Sequence, residues 1–274
     1  MSSRKTEVVL LGPEPRIAVE YAGSGQLILF LHGIGGNRRN WLAQIRAFSG
    51  NYLAAAWDGR GYGDSDDYEG AFRYADVCGD LERVLDHFQA SSAIIVGLSH
   101  GGIIGQDFAR RQPRRVRRLV ICNSRFTVDR VNRAEFLQLR LAPLRAGLSM
   151  DEFAASLMPK LVAENASAEA RQALLESLAA LHRESYIKTL LGSADLSSQP
   201  EYADRQHWLE ASEASMPIRI MTSAEDKITP AALSYQAAAR FPGSKIARIE
   251  RAGHISNIEQ EACFNSTLDE FLAD

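Results

Sequence analysis

The sequence predicts an α/β fold, a mostly parallel sheet flanked by helices and interrupted by an inserted helical segment. Three observations carry this. Over the first 125 residues short apolar runs alternate with amphipathic stretches. From about Arg125 to Ser198 nearly every residue is a helix former. The alternation then resumes to the end of the 274-residue chain. That length suits one domain of up to about 250 residues, or one core carrying an insertion.

In chain order, Val8–Leu11, Ile17–Glu20, Leu27–Leu31, Leu53–Trp57, Ala93–Leu98 and Val116–Cys122 read as strands. Three of them are nearly continuous apolar runs, as strands covered on both faces require. Val77, Leu81, Val84, Leu85 and Phe88 recur at helical spacing and give one apolar face. In the insertion, Ser149-Met-Asp-Glu152 forms a capping box, Ser167 caps a second helix, and Gly192 is placed to end a later one. A helical piece is expected from Pro200 to Leu209. After it come strand Ile218–Thr222, helix Ala231–Phe241, strand Lys245–Ile249 and helix Asn257–Ala273. The expected division is 1–124 with 211–274 as core and 125–210 as helical cap.

Composition narrows the functional classes. Hydrophobic residues make up 46% and charged residues 24%, globular values. With 31 basic against 34 acidic residues the net charge is −3, too balanced for nucleic acid or an anionic membrane as main partner. No apolar run approaches the roughly eighteen residues of a membrane span, and Val8–Leu11 is too short for a secretory leader. Cys78, Cys122 and Cys263 fit neither a disulfide framework nor a zinc pattern, so reduced thiols in a cytoplasmic protein are expected.

The chemistry concentrates in four loops. Gly97-Leu-Ser-His-Gly101 matches G-x-S-x-G and lies between a strand and a helix, the setting in which a turn presents a nucleophilic serine. Ser99 then needs a base and a group to orient that base. Of six histidines, His87, His182 and His207 fall on helical patterns, and His32 and His100 in Gly-rich turns. His254 follows strand Lys245–Ile249 in a loop, where such folds place catalytic groups. The acid belongs between serine and histidine in chain order. Asp226 follows strand Ile218–Thr222, with Glu225 as competitor; the less exposed of the two should orient His254. His32-Gly-Ile-Gly-Gly36 follows another strand. An acyl-transfer oxyanion needs two backbone N–H donors, and this reading selects Ile34 and His100. Neither a P-loop nor a dinucleotide fingerprint is present.

Together these motifs resemble the α/β-hydrolase family over nearly the whole chain. Asp58-Gly-Arg-Gly-Tyr-Gly-Asp-Ser65 is similar to its D-x-R-G-x-G-x-S turn, and Gly253-His254 through Asn257-Ile-Glu259 to its histidine loop. The resemblance implies a helical cap over the site and a hydrolase that needs no metal or organic cofactor. Ser99 places the chain apart from the Asp-nucleophile branches, the haloalkane dehalogenases and epoxide hydrolases. Small esterases and lactonases, including those similar to 3-oxoadipate enol-lactonase, fit best. Carbon–carbon hydrolases of ring-cleavage products are the enzymatic alternative, but they carry Asn before the nucleophile and Pro in the turn where this chain has Leu98 and Arg60. A receptor or scaffold on the same fold is the non-enzymatic alternative, and its usual mark is a broken triad.

Substrate-binding candidates are Gly33, Arg125 and Phe126. Arg125, Arg130, Arg133, Arg140 and Arg145 stand against Asp129 and Glu135. They read either as a solvated helix face or as a source of one pocket arginine for a substrate carboxylate. Trp41, Trp208, Phe126 and Phe136 read as core residues or pocket walls, core packing being favoured for each. The oligomeric state is not legible.

Overall fold

The computed structural model describes residues 5–128, 133–194, 196 and 199–273. Eight strands form one sheet: β1 Glu7–Leu11, β2 Ile17–Gly23, β3 Leu27–Leu31, β4 Leu53–Trp57, β5 Ala93–Leu98, β6 Val116–Cys122, β7 Ile218–Ser223 and β8 Lys245–Ile249. Their order is β1-β2-β4-β3-β5-β6-β7-β8. β2 runs antiparallel to both neighbours, and all pairings from β4 to β8 are parallel. The helices are α1 Leu42–Phe48, α2 Tyr74–His87, α3 His100–Arg111, α4 Arg133–Arg145, α5 Met150–Leu161, α6 Ala168–Ala179, α7 Arg183–Ala194, α8 Ala231–Ala238, α9 Ser256–Glu259 and α10 Glu261–Ala273.

The period-two geometry of a strand splits the core between the faces of the sheet. Leu27, Leu29 and Leu31 pack with Val77 and Leu81 of α2 and Phe108 of α3. Ile28 and Phe30 pack with Trp41, Ile45 of α1 and Phe264 of α10. β3 and β5 are buried along their whole length, as their apolar runs predict, and so is β7 despite Arg219, Thr222 and Ser223. α4 to α7 lie between β6 and β7 in the chain. Ser149 and Glu152 form the expected capping box of α5, and Ser167 caps α6.

Four expectations need correction. Pro200–Tyr202 is a single short helical turn, and the segment after it is irregular. His207 pairs there with Thr127 across one isolated bridge and is not helical. Gly192 lies inside α7 and does not end it: a Cβ there would meet the Phe72 backbone, so glycine permits a close crossing. The last helix is two, because the backbone leaves helical geometry at Gln260, φ −133°, ψ 55°. α8 stops at Ala238, and Arg240 and Phe241 donate to carbonyls only three residues back, ahead of Pro242.

The chain leaves β3 toward β4 on one side and returns to β5 on the other, so the strand order reverses beside β3. A crevice opens at such a switch point, at the C-terminal ends of the strands. The loops that follow β3 and β5 form its walls.

The turn Asp58–Ser65 seals the adjacent edge. Asp58, fully buried, accepts from the Arg38 backbone N–H at 2.7 Å, the Asp64 N–H at 2.9 Å and the Arg38 guanidinium. Asp58→Ala should destabilise the fold by at least about 3 kcal/mol, because the buried Arg38 loses its main partner. Asp64→Ala, at a carboxylate 63% exposed, should cost under about 1 kcal/mol. Equilibrium denaturation of both variants checks the contrast.

Candidate active site

Ser99 occupies the turn from β5 into α3 at φ 54°, ψ −116°, a conformation a serine rarely adopts and one that the surroundings must enforce. Its N–H donates to the Cys122 carbonyl at 2.8 Å, and its own carbonyl accepts from the Ser124 hydroxyl at 2.6 Å. Gly97 and Gly101 are required by close approach. A Cβ on Gly97 would overlap the Gly101 carbonyl, and one on Gly101 would overlap the carbonyls of Leu31 and His32.

His254 reaches Ser99 from the loop after β8. Its Nε2 lies 2.8 Å from Ser99 Oγ, and its Nδ1 lies 2.8 Å from Asp226 Oδ2. A carboxylate only accepts, so Nδ1 carries the proton and Nε2 is free to accept the serine hydroxyl. The His254 peptide is fixed on both sides: its N–H donates to the Leu161 carbonyl at 2.7 Å, and its carbonyl accepts from Asn123 Nδ2 at 2.9 Å.

Asp226 is buried and Glu225 only half-buried, so the exposure criterion selects Asp226. Its Oδ1 accepts from the N–H groups of Ile228 and Thr229 at 2.8 and 2.9 Å, and the Thr229 hydroxyl lies 2.6 Å from Oδ2. Burial pushes its pKa up. The His254 imidazole and these donors outweigh burial and hold it below the usual carboxylate range. Glu225 instead lies 3.4 Å from the Glu164 N–H.

The loop after β3 supplies the opposite wall. Among the described residues, neither the Ile34 nor the His100 backbone N–H has an acceptor; His100 opens α3, where the N–H has no intrahelical partner. Gly33 lies against Ser99: a Cβ on it would stand 3.1 Å from the Ser99 Cβ. His32 braces the loop. The Gly59 N–H donates to its Nε2 at 2.9 Å, so Nδ1 carries hydrogen and donates to the Gly33 carbonyl at 2.9 Å. Burial lowers the pKa of His32 and takes His100 to about 3.

Two cavities meet at Ser99. The larger, about 770 Å³, is lined by Ile34, His100, Arg125, Phe136, Arg140 and Trp208 among others. The smaller, about 460 Å³, is mostly apolar, with Leu98, Leu161, Leu174 and Leu178, and includes Gly33 and Trp41. Of the arginines, Arg125 and Arg140 line the larger cavity and Arg145 is exposed. Asp129, Arg130 and the side chain of Arg133 lie outside the described residues. Phe126 does not line either cavity. Its neighbour Thr127 is pinned to His207, its carbonyl accepts from the Trp208 N–H at 3.0 Å, and its ring joins the core.

Four positioning residues escaped the sequence reading of roles. Glu259, buried and raised in pKa by burial, accepts from the N–H of Gly253 at 3.0 Å, Ile255 at 3.3 Å and Ala163 at 2.7 Å. It therefore ties the histidine loop to the end of α5. Asn123 and Thr229 had no sequence signal, because a lone Asn or Thr in a loop is ordinary. His32 had one, its place directly before a glycine at a strand end.

No metal-holding group of His, Cys, Asp or Glu occurs among the described residues, and no helix among them is long and apolar enough to cross a membrane.

The family described as "alpha/beta hydrolase fold" matches residues 26–261. The chain is 28% identical over 261 residues to 3-oxoadipate enol-lactonase 2 of Acinetobacter baylyi, covering 92% of each. In structure it is similar to a thermophilic esterase from Thermogutta terrifontis, with TM-score 0.84, 24% identity and 98% of each chain covered. It is also similar to the enol-lactonase from Burkholderia xenovorans, with TM-score 0.79, 20% identity, and 98% and 100% covered.

The buried neutral His100 predicts an acid sensitivity. Below pH of about 6.5 the unfolded chain takes up a proton at this residue that the folded chain refuses until about pH 3. Folding stability should therefore fall with pH in that window by up to about 1.4 kcal/mol per unit from this group. His100→Gln should flatten the slope measured by denaturation between pH 7 and 5.

Proposed function

The chain belongs to the α/β-hydrolase family, and from that premise we propose that it is a serine hydrolase of small carboxylic esters or lactones, working through an acyl-enzyme. The observation that carries this is the continuous relay from Ser99 Oγ through His254 to Asp226, each link 2.8 Å, opening onto a cavity. An intact relay also argues against a receptor or scaffold role.

In this reading His254 Nε2 takes the Ser99 proton as Oγ attacks the ester carbonyl. Charge passes to the carbonyl oxygen, and the N–H groups of Ile34 and His100 receive it. Both are backbone donors already aimed, so they need not reorganise. Asp226 stays ionised and stabilises the imidazolium. The imidazolium returns its proton to the leaving alkoxide, and water, activated by the same nitrogen, releases the acid. The residues numbered 125–210, with α4 to α7, act as the cap and close the larger cavity against bulky substrates. No step calls for a metal or an organic cofactor.

The ester reading is favoured over carbon–carbon cleavage by what surrounds the turn. Arg60 pairs with Asp80 of α2 at 2.6 and 2.8 Å and stacks over Tyr68, so it braces the core. Leu98 lines the smaller cavity with a side chain that donates nothing. A carbanion-like leaving group needs added polar support, and these positions offer none.

A fluorophosphonate probe should add one label, at Ser99, and Ser99→Ala should lose at least about a thousandfold in kcat/KM on short-chain esters. Labelling elsewhere refutes the proposal. So does a vinylogous diketone cleaved a hundredfold better than every ester and lactone, about 2.7 kcal/mol in the transition state.

Asp226→Asn should lower kcat by about three to four orders of magnitude with the fold intact, since an amide favours the wrong imidazole tautomer. Glu225→Gln should change kcat less than about threefold. The reverse pattern reassigns the acid.

A further inference from the structure

The larger cavity beside Ser99 is lined by two arginines and no carboxylate among the described residues. Arg140, on α4, is the deeper group, with 3% of its surface exposed. Its Nη1 donates to the Tyr186 hydroxyl at 2.8 Å, and its guanidinium carbon lies 4.9 Å from the centre of the Phe136 ring. Its Nε is buried and has no acceptor. No aspartate or glutamate among the described residues pairs with it.

This arrangement is unfavourable for the empty protein. A guanidinium cannot discharge itself by losing a proton, and a buried charge without a counter-ion costs several kcal/mol. A tyrosine hydroxyl orients the group without neutralising it. Arg38, equally buried, shows the ordinary solution in the same chain: Asp58, Asp64 and Glu20 surround it. Among the described residues Arg140 has no such partner, and it stands in the wall of a cavity that reaches the nucleophile, where its remaining donors suit an anion. Phe136 and Trp208 in the same wall exclude water and strengthen any ion pair formed there. A carboxylate matches the fork in charge and in geometry.

We propose that Arg140 is the specificity-determining residue and that the substrate is an ester or lactone bearing a carboxylate on the portion lodged in the larger cavity. This rests on the serine-hydrolase reading of the same site. The chemical class is a monoester of a short dicarboxylic acid, or a lactone with a carboxylate arm. Arg140 and Ser99 line the same cavity, so one small ligand can meet both.

The test compares monomethyl esters of succinic, glutaric and adipic acid with the matching uncharged amide-esters, by titration of released acid. At least one charged member should exceed its amide partner tenfold or more in kcat/KM, through a lower KM. Arg140→Met should bring that ratio to within about threefold of unity. Arg140→Lys keeps the charge but not the fork, and should cut the ratio at least threefold; it decides the matter if Arg140→Met does not fold by circular dichroism. Calorimetric binding of glutarate to Ser99→Ala, lost in Ser99→Ala with Arg140→Lys or Arg140→Met, reads the same site without turnover. Equal rates on every pair, or a preference that survives substitution of Arg140, overturns the proposal and leaves the serine-hydrolase reading standing. If no ester is cleaved and Ser99 takes no fluorophosphonate, that reading fails instead, and glutarate binding still reports on Arg140.

Discussion

Ser99 is held at φ 54°, ψ −116°, and much of the molecule is arranged to keep it there. The conformation puts Oγ at the tip of a tight turn, clear of its own backbone and within reach of groups from other loops. It costs of order 1–3 kcal/mol. Hydrogen bonds to Cys122 and Ser124 offset it, as does a helix start packed so closely against β5 at position 97, and against the end of β3 at position 101, that neither can carry a side chain. The parallel order β3-β5-β6-β7-β8 then delivers the remaining parts to the same end of the sheet. Each strand ends where a functional loop begins: Gly33 and Ile34 after β3, Ser99 after β5, Asn123 after β6, Asp226 after β7 and His254 after β8. The sheet sets the spacing, and hydrogen bonds among the loops set the final geometry.

Those loop contacts share one physical device, a buried carboxylate that gathers backbone N–H groups. Asp58 does so for the turn that follows β4, Asp226 for the acid loop and Glu259 for the histidine loop. Each carboxylate satisfies donors that would otherwise be buried and unpaired, which removes a penalty of about 1–3 kcal/mol per group. Asp226 also hydrogen-bonds an imidazole, and against the upward push of burial that partner and its N–H donors hold its pKa low. Glu259 is raised by burial although three N–H groups bind it. The same motif thus serves rigidity in two places and chemistry in one.

The parts legible in the sequence are those in which local rules and global fold agree. Six strands up to Cys122 were marked by apolar runs, and their predicted ends match the structure within about three residues. Ser99, His254 and Asp226 stood out because each follows a strand in a loop, and the structure brings their side chains together. Where tertiary contacts overrule local preference, the reading failed. Gly192 continues a helix because Phe72 crosses it, and Gln260 breaks one because Glu259 turns back to the histidine loop. His207 sits on a helical pattern but follows Thr127 into a bridge. Phe126 reads in sequence as core residue or pocket wall, and the same bridge turns it into the core. None of these reversals leaves a trace in periodicity, since each depends on a residue more than about twenty positions away or on a side chain that folds back.

The same reasoning explains why the chemistry was easier to read than the substrate. The loops of the sheet must satisfy strict backbone geometry, and strict geometry selects glycine, serine, histidine and aspartate in recognisable order. The inserted helices have no such constraint. Any helix presents arginines to water at frequent intervals, and five arginines between positions 125 and 145 look alike in sequence. What separates Arg140 from Arg145 is the direction each faces on α4, which packs against α7. Arg145 ends up exposed, whereas Arg140 turns inward to Tyr186 and Phe136. A charge drawn inward with no counter-ion among the described residues works against folding, so its position is informative in a way that an exposed arginine is not. In the proposed reading, recognition of the reacting bond belongs to the sheet loops, and discrimination among substrates belongs to the inserted helices.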